Sequence, residues 1–234
     1  MNKYIFLRLK ILSYSFPTLS NNLFKIFKKN NLGISVFNKN TDFVIEGFPR
    51  SANTFIYSAF FTSNKELNIA HHVHHPSQIT LAVKKNIPAI VLIRSPKDAI
   101  TSFCARDKSL SPIHACELYL KFYKSIFNLL DRTLVIDFND AISNPEKVLF
   151  KSKSYFNIDI KYQFKPKQFI EEATSKAKEM HIQNLANNTA LDKSASPLPK
   201  KDTFVINFNS QRKLSAALKE CNLIYKDICN KFIK

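Results

Sequence analysis

Glycine is scarce in this chain, since only Gly33 and Gly47 occur among 234 residues. Each of the two is therefore more informative about the local backbone than a glycine in an average sequence. The four cysteines include no CxxC pair, which argues against a zinc finger, a thioredoxin-like site or a disulfide framework. Scattered cysteines in a chain of this length are typical of reduced thiols in a cytoplasmic protein.

Long apolar runs are also missing. No stretch of about 20 apolar residues is present, so a bilayer-spanning helix is not expected. Arg8 and Lys10 interrupt the first apolar segment, which argues against a signal peptide. Residues 1–40 are basic and apolar. They either form a first helix packed on the domain or an amphipathic segment that makes a peripheral membrane contact.

The charge is strongly unbalanced. Lysine and arginine number 35 against 18 acidic residues, a net charge of +17, while 45% of the residues are hydrophobic, as in a folded globular chain. The excess favours polyanionic partners such as nucleotides, nucleic acid, acidic polysaccharide or an anionic membrane. A basic nucleic-acid-binding protein stays an alternative, although no helix-turn-helix, zinc-finger or RRM pattern is present.

Short apolar runs alternate with longer helical patterns, which predicts an α/β domain with a central parallel sheet flanked by helices. The length favours one domain. Strands are predicted at 43–45, 68–73, 89–93 and 134–136. Helices are predicted at 53–61, 78–85, 166–182 and 210–233. Three more are predicted to begin at 96, at 112 and at 145, and the one from 112 to continue to about 130. A long loop is predicted at 184–203.

The first junction that carries chemistry follows the strand at 43–45. Here the chain reads Gly47-Phe48-Pro49-Arg50-Ser51-Ala52-Asn53-Thr54 before a helix. Backbone N–H groups at a helix start bind anions, and Arg50 adds a fixed positive charge with a fork of donors. The side chains of Ser51, Asn53 and Thr54 are further candidate donors. A nucleotide-dependent phosphotransferase is an alternative, but the Walker A pattern typical of such enzymes is absent.

The second junction follows the strand at 89–93, where α/β sheets bind ligands. Arg94 comes directly after the strand, and Ser95-Pro96 begins a helix. Ser102 lies about two helical turns beyond Ser95, on the same face. Arg94 and Ser102 are therefore predicted to reach one anion together.

Four histidines lie in the five residues 71–75. A histidine near its ordinary pKa suits a general base at neutral pH. If the strand at 68–73 continues, alternation places His72 and His74 on one face. A metal site is the alternative, but no cysteine accompanies the histidines and no HExxH pattern occurs, so no metal is expected.

Together the two junctions resemble the motifs of sulfotransferases that use 3'-phosphoadenylyl sulfate. Residues 47–54 are similar to the family pattern G-x-P-[K/R]-S-G-T-T, and residues 94–98 with Ser102 are similar to R-x-P-[K/R]-D followed by a serine. The segments 134–138 and 144–145 also resemble the family, so the likeness covers roughly residues 42–156. It implies transfer of a sulfuryl group to a hydroxyl or amine on a P-loop-like, three-layer α/β fold.

The resemblance also implies residue roles. The 5'-phosphosulfate would be held by Arg50, Ser51, Ala52, Asn53, Thr54 and Phe55, and the 3'-phosphate by Arg94 and Ser102. His74, two residues before Pro76, would be the base, with His72 as the second candidate and Arg50 stabilising the leaving group. The acceptor stays open: a carbohydrate, a lipid headgroup, a protein side chain or a small alcohol.

Two departures from the family pattern stand out. Ala52 and Asn53 replace the usual Gly-Thr, and the added methyl of Ala52 lies where backbone approaches phosphate. No clear counterpart of the family's basic C-terminal loop exists, and Lys200, Lys201 and Arg212 are the candidates for it. The resemblance predicts a single domain over 1–234, with an extension at 1–40, a donor-binding core at 42–156 and a helical part at 157–234.

Overall fold

The structure is a computed structural model that describes residues 3–27, 33–160, 170–179 and 204–233, with side chains described from residue 8 onward. Its strands are β1 (Phe43–Gly47), β2 (Ile69–His71), β3 (Ala89–Ile93) and β4 (Leu134–Asp137). Its α-helices are α1 (Lys3–Ser13), α2 (Pro17–Phe27), α3 (Asn53–Ser63), α4 (Ser77–Lys84), α5 (Pro96–Arg106), α6 (Pro112–Ile126), α7 (Phe138–Ser143), α8 (Pro145–Phe156), α9 (170–179) and α10 (Arg212–Phe232). A 3-10 helix covers Phe127–Arg132.

The four strands form one parallel sheet in the order β2-β1-β3-β4. From β1 the chain moves outward to β2, and it then crosses back over β1 to reach β3 on the other side. The carboxyl ends of β1 and β3 therefore flank the point where the strand order reverses, which is where open α/β sheets bind ligands.

Helices cover both faces of the sheet, as the alternating side chains of β3 demonstrate. Ile90 and Leu92 pack with residues of α3, α8 and α9. Val91 and Ile93 point the other way and pack with α5, α6 and α10. The sheet is apolar on both faces because each face is buried. The prediction of an α/β fold with a central parallel sheet between helices is confirmed.

Gly47, the last residue of β1, lies against β3. A Cβ at this position would be 2.3 Å from the carbonyl oxygen of Leu92. Real Cβ atoms do not approach the backbone this closely. Only glycine therefore fits at position 47, where β1 and β3 come together at the predicted site.

The helices α1 and α2 pack on the domain, as one of the two predictions for residues 1–40 proposed. On α2 the polar residues Ser20 and Asn21 are buried. The Asn21 side-chain amide donates to the carbonyl oxygen of Phe37 at 2.9 Å, and its oxygen accepts from the side-chain amide of Gln78 at 2.8 Å. These hydrogen bonds connect α2 to α4.

Several boundaries differ from the predictions. β2 ends at His71, and His72 and His74 adopt positive φ angles of 62° and 52°. Strand alternation therefore does not extend to these two residues, because the backbone turns sharply after His71, although their ring centroids lie 5.8 Å apart. The helix predicted to run to about 130 ends at Ile126 and continues as a 3-10 helix, and α7 was not predicted.

The C-terminal predictions are tested in part. Residues 170–179 are helical within the predicted span 166–182, and α10 agrees with the helix predicted at 210–233. The loop predicted at 184–203 lies outside the described residues. Within the described part of the chain, no helix is both long and apolar enough to cross a bilayer. Cys104, Cys116, Cys221 and Cys229 are all free thiols, as predicted.

Candidate functional site

The loops after β1 and β3 contact each other. The Nε of Arg50 donates to the hydroxyl oxygen of Ser102 at 2.9 Å. The Nη1 of Arg94 donates to the carbonyl oxygen of Arg50 at 3.0 Å. Ser102 therefore meets Arg50 rather than Arg94, but all three residues that the sequence analysis selected lie in one cluster at the switch point of the sheet.

The loop between β1 and α3 has an unusual backbone. Arg50 and Ala52 adopt φ angles of 70° and 69°, in the left-handed region that favours glycine. Ala52 is the residue that replaces the family's glycine, and it occupies the position immediately before α3. The side-chain amide of Asn53 donates to the carbonyl oxygen of Phe48 at 3.1 Å and closes the loop. The first N–H groups of a helix have no acceptor within the helix, so those at the start of α3 are candidates to bind an anion.

Most side chains of this loop are buried or hydrogen-bonded within the protein. Ser51 and Phe55 are buried, with 0% and 2% exposure. Asn53 holds the loop, and the hydroxyl of Thr54 lies 2.7 Å from Nε2 of His72. An anion at this loop would therefore be bound by backbone N–H groups and by the side chain of Arg50 rather than by these four side chains.

Arg94 is a partly buried cation. Its guanidinium lies 3.9 Å from the ring centroid of Phe138, and the hydroxyl of Tyr119 donates to its carbonyl oxygen at 2.8 Å. Burial lowers the pKa of the Arg94 guanidinium, an effect that the charges of Asp98 and Asp137 partly offset. No ion pair of Arg94 is formed within the described residues. A positive charge that is desolvated and not ion-paired suits an anionic ligand.

Glu46 and His74 contact each other beside the start of the loop between β1 and α3. Glu46 is fully buried in β1, and its carboxylate accepts the backbone N–H groups of Val73 at 2.6 Å and His74 at 3.1 Å. The Nδ1 of His74 donates to the carbonyl oxygen of Gly47 at 3.0 Å and lies 3.8 Å from Oε2 of Glu46. Since Nδ1 carries the proton in the neutral ring, Nε2 is the basic nitrogen. The His74 side chain is 25% exposed, so a substrate can approach it.

His72 is placed less favourably for proton transfer. Its Nε2 lies 2.7 Å from the hydroxyl of Thr54, and its Nδ1 lies 2.6 Å from Nδ1 of His71. His71 stacks on Tyr57 with ring centroids 3.6 Å apart. Burial lowers the pKa of His71 well below its ordinary value, and the charges of His72 and His74 lower it further. The geometry therefore favours His74 over His72 as the base.

His75 has a structural role. Its Nδ1 accepts the backbone N–H of Ser77 at 3.1 Å, so its Nε2 donates to the hydroxyl oxygen of Ser13, 2.9 Å away. Tyr14 and Phe24 contact its ring edge-on at centroid distances of 4.7 and 5.0 Å. The fully buried imidazole thus joins α1 and α2 to the segment that carries His74. Across the described ranges, no group of three or more His, Cys, Asp or Glu side chains is arranged to hold a metal ion.

Sequence reasoning missed three residues of the site, namely Glu46, Tyr119 and Phe138. Glu46 had a signal, because a carboxylate inside the apolar strand Phe43–Gly47 needs a partner when it is buried. Tyr119 and Phe138 had none, because each is aromatic within a pattern typical of core residues. Of the C-terminal candidates, Arg212 is exposed at the start of α10, and Lys200 and Lys201 lie outside the described residues.

No protein-family model matches the chain, and no curated protein matches it. The function must therefore be argued from the motifs and from the geometry of the site.

Proposed function

We propose that the chain is a sulfotransferase that moves a sulfuryl group from 3'-phosphoadenylyl sulfate to a hydroxyl or amine of an acceptor. A P-loop-like type of nucleotide-binding fold is part of this proposal. The observation that carries it is the meeting of both family-like motifs at the switch point of the sheet, through the hydrogen bonds of Arg50 with Ser102 and of Arg94 with the Arg50 carbonyl.

The charges of the site fit a donor with two phosphate-bearing ends. Arg50 and the N–H groups at the start of α3 would hold the 5'-phosphosulfate. Arg94, which is partly buried and stacked on Phe138, would bind the 3'-phosphate with its remaining N–H donors. Because Arg94 also donates a hydrogen bond to the Arg50 carbonyl oxygen, the groups proposed to bind the 5'-phosphosulfate and the 3'-phosphate are held in a fixed relation to each other.

His74 contacts Gly47 at the start of the same loop, and its partly exposed side chain would face the acceptor. Its Nε2 takes the proton of the acceptor hydroxyl, since Nδ1 is committed to Gly47. The Glu46 carboxylate, 3.8 Å from Nδ1, stabilises the imidazolium that results. The donor supplies the sulfuryl group: a new bond joins sulfur to the acceptor oxygen, the bond from sulfur to the 5'-phosphate oxygen breaks, and adenosine 3',5'-bisphosphate leaves.

Calorimetric titration with adenosine 3',5'-bisphosphate, 5'-AMP and ATP with Mg²⁺ tests the donor class. We expect adenosine 3',5'-bisphosphate to bind at least about tenfold more tightly than 5'-AMP, because the 3'-phosphate adds charge-assisted hydrogen bonds to Arg94. Equal affinity for the two nucleotides would overturn the proposal. Tight binding of ATP only with Mg²⁺ would favour a phosphotransferase instead.

A further inference from the structure

Large exposed apolar side chains concentrate on the two N-terminal helices. Thirteen such residues are found in the described part of the chain, and seven of them lie between residues 9 and 27. These seven are Leu9, Leu12, Phe16, Leu19, Leu23, Ile26 and Phe27, with exposures between 42% and 79%. Monomeric soluble proteins seldom concentrate exposed apolar side chains in this way without a partner for them.

The helix α2 is oriented opposite to an ordinary surface helix. A surface helix turns its apolar stripe toward the core and its polar side toward water. On α2 the buried side includes Ser20 and Asn21, whereas Leu19, Leu23 and Ile26, spaced four and three residues apart, form one exposed stripe. The apolar stripe of α2 therefore faces away from the protein.

Hydrogen bonds hold α2 in this orientation. Asn21 is buried and bonds to the Phe37 carbonyl and to the side chain of Gln78. On the same side of the helix, Phe24 contacts the ring of His75. Rolling the helix to bury Leu23 and Ile26 would break these contacts and leave buried polar groups without partners, which is costly. The stripe is consequently presented to a partner outside the domain.

Charge decides which partner fits. Lys25 is exposed in the last turn of α2, the sequence continues with Lys28 and Lys29, and the whole chain carries a net charge of +17. A second copy of the chain would bring these cations against each other. The surface of an anionic bilayer offers both apolar volume for the stripe and negative headgroups for the lysines.

We propose that the exposed face of α1 and α2 docks on the surface of an anionic phospholipid bilayer, with Leu19, Leu23 and Ile26 inserted at the level of the headgroups. The helices lie in the membrane plane and do not span it. This inference rests on the N-terminal helices and not on the sulfotransferase proposal, so either can fail while the other stands.

Co-sedimentation of the full chain with lipid vesicles tests the proposal. One set of vesicles contains phosphatidylcholine alone, and in the other about a third of the lipid is phosphatidylserine. We expect binding to the anionic vesicles that weakens as salt is added. Ile26→Glu should reduce that binding at least about tenfold, because it removes an inserted apolar side chain and adds a repelled charge. Lys25→Ala should reduce it about fivefold.

Leu223→Glu is the matched control, since Leu223 is an exposed leucine on α10 and the variant gains the same charge. It should bind vesicles as the wild type does. Both glutamate substitutions are at exposed positions, and circular dichroism checks that each variant folds. The proposal would be overturned if anionic vesicles fail to bind the wild type or if the two glutamate variants lose binding equally. It would also be overturned if sedimentation velocity reveals a dimer that Ile26→Glu dissolves, since the face would then join two copies.

Discussion

The imidazole of His74 donates from Nδ1 to the carbonyl oxygen of Gly47, 3.0 Å away, and so lies beside the last residue of β1. Gly47 in turn admits no side chain, because a Cβ would meet the Leu92 carbonyl. The position of the proposed base is thus set by the backbone of the sheet rather than by a mobile loop.

Replacing His74 with Ala should reduce turnover by about 100-fold or more, the usual contribution of a general base. The affinity for adenosine 3',5'-bisphosphate should stay within about twofold of the wild type, because His74 is not among the residues proposed to hold the phosphates. Release of this nucleotide from the donor, in the presence of a panel of hydroxyl acceptors, gives the turnover, and calorimetry gives the affinity. A parallel loss of both quantities would remove His74 from the role of base.

Replacing Glu46 with Gln should lower the free energy of unfolding by about 2 kcal/mol, because the new amide group turns a donor toward the N–H of Val73 or His74. Turnover should fall as well, since the carboxylate positions His74 and stabilises its imidazolium. Urea unfolding and a double-mutant cycle separate these effects. If Glu46 acts through His74, the substitution has little effect on turnover in a chain that already carries His74→Ala; a full additional loss would show an independent role.

Replacing Arg94 with Ala should weaken binding of adenosine 3',5'-bisphosphate about 10- to 100-fold, the worth of hydrogen bonds to a charged group. Binding of 5'-AMP should change far less, because that nucleotide lacks the 3'-phosphate. Arg106→Ala is the control: Arg106 lies at the other end of α5, and burial lowers the pKa of its guanidinium too. Equal weakening of both nucleotides by Arg94→Ala would indicate that Arg94 supports the loop without contacting the 3'-phosphate.

Replacing Ala52 with Gly should raise the free energy of unfolding by about 0.5–1 kcal/mol. A left-handed φ costs alanine more than glycine, and this gain exceeds the greater entropy that glycine adds to the unfolded chain. Ala59→Gly, the same change inside α3, should instead lower the free energy of unfolding by about 1 kcal/mol or more. Urea unfolding of the two variants measures both values. Destabilisation by both changes would contradict the strain assigned to Ala52.

The stability of the protein should fall in mild acid, in part through His71. Its folded-state pKa is lowered below 6.5, so the unfolded chain binds the proton more readily. The contribution of His71 is therefore complete above pH 6.5 and declines by about 1.4 kcal/mol per pH unit as the pH falls from there toward the folded-state pKa. His71→Phe keeps a ring against Tyr57 and should flatten this dependence. Urea unfolding at pH 7.5 and 5.5 gives the free energy of unfolding of the wild type and of the variant at each pH. The same change in this free energy between the two pH values in both proteins would contradict the role assigned to His71.

Local sequence determined much of the architecture. The run Ala89–Ile93 is a strand as predicted, and the pairs Ser95-Pro96, Ser111-Pro112 and Asn144-Pro145 each begin a helix, with the proline as its first residue. These features depend on residues adjacent in the chain, and proline fixes φ without any distant partner. Local patterns also selected Arg50, Arg94 and Ser102, and the family resemblance selected His74. In the structure these residues contact the loop between β1 and α3 or belong to it.

Only the tertiary structure decided which of these groups act on each other. Ser102 faces Arg50 rather than Arg94, and His72 is held between His71 and Thr54 while His74 is turned toward Gly47. The orientation of α2, with asparagine inside and leucine outside, was likewise invisible, because the amide of Asn21 is satisfied by Phe37 and Gln78. Each of these outcomes depends on hydrogen bonds between residues brought together by the sheet, and neither composition nor spacing along the chain encodes such contacts.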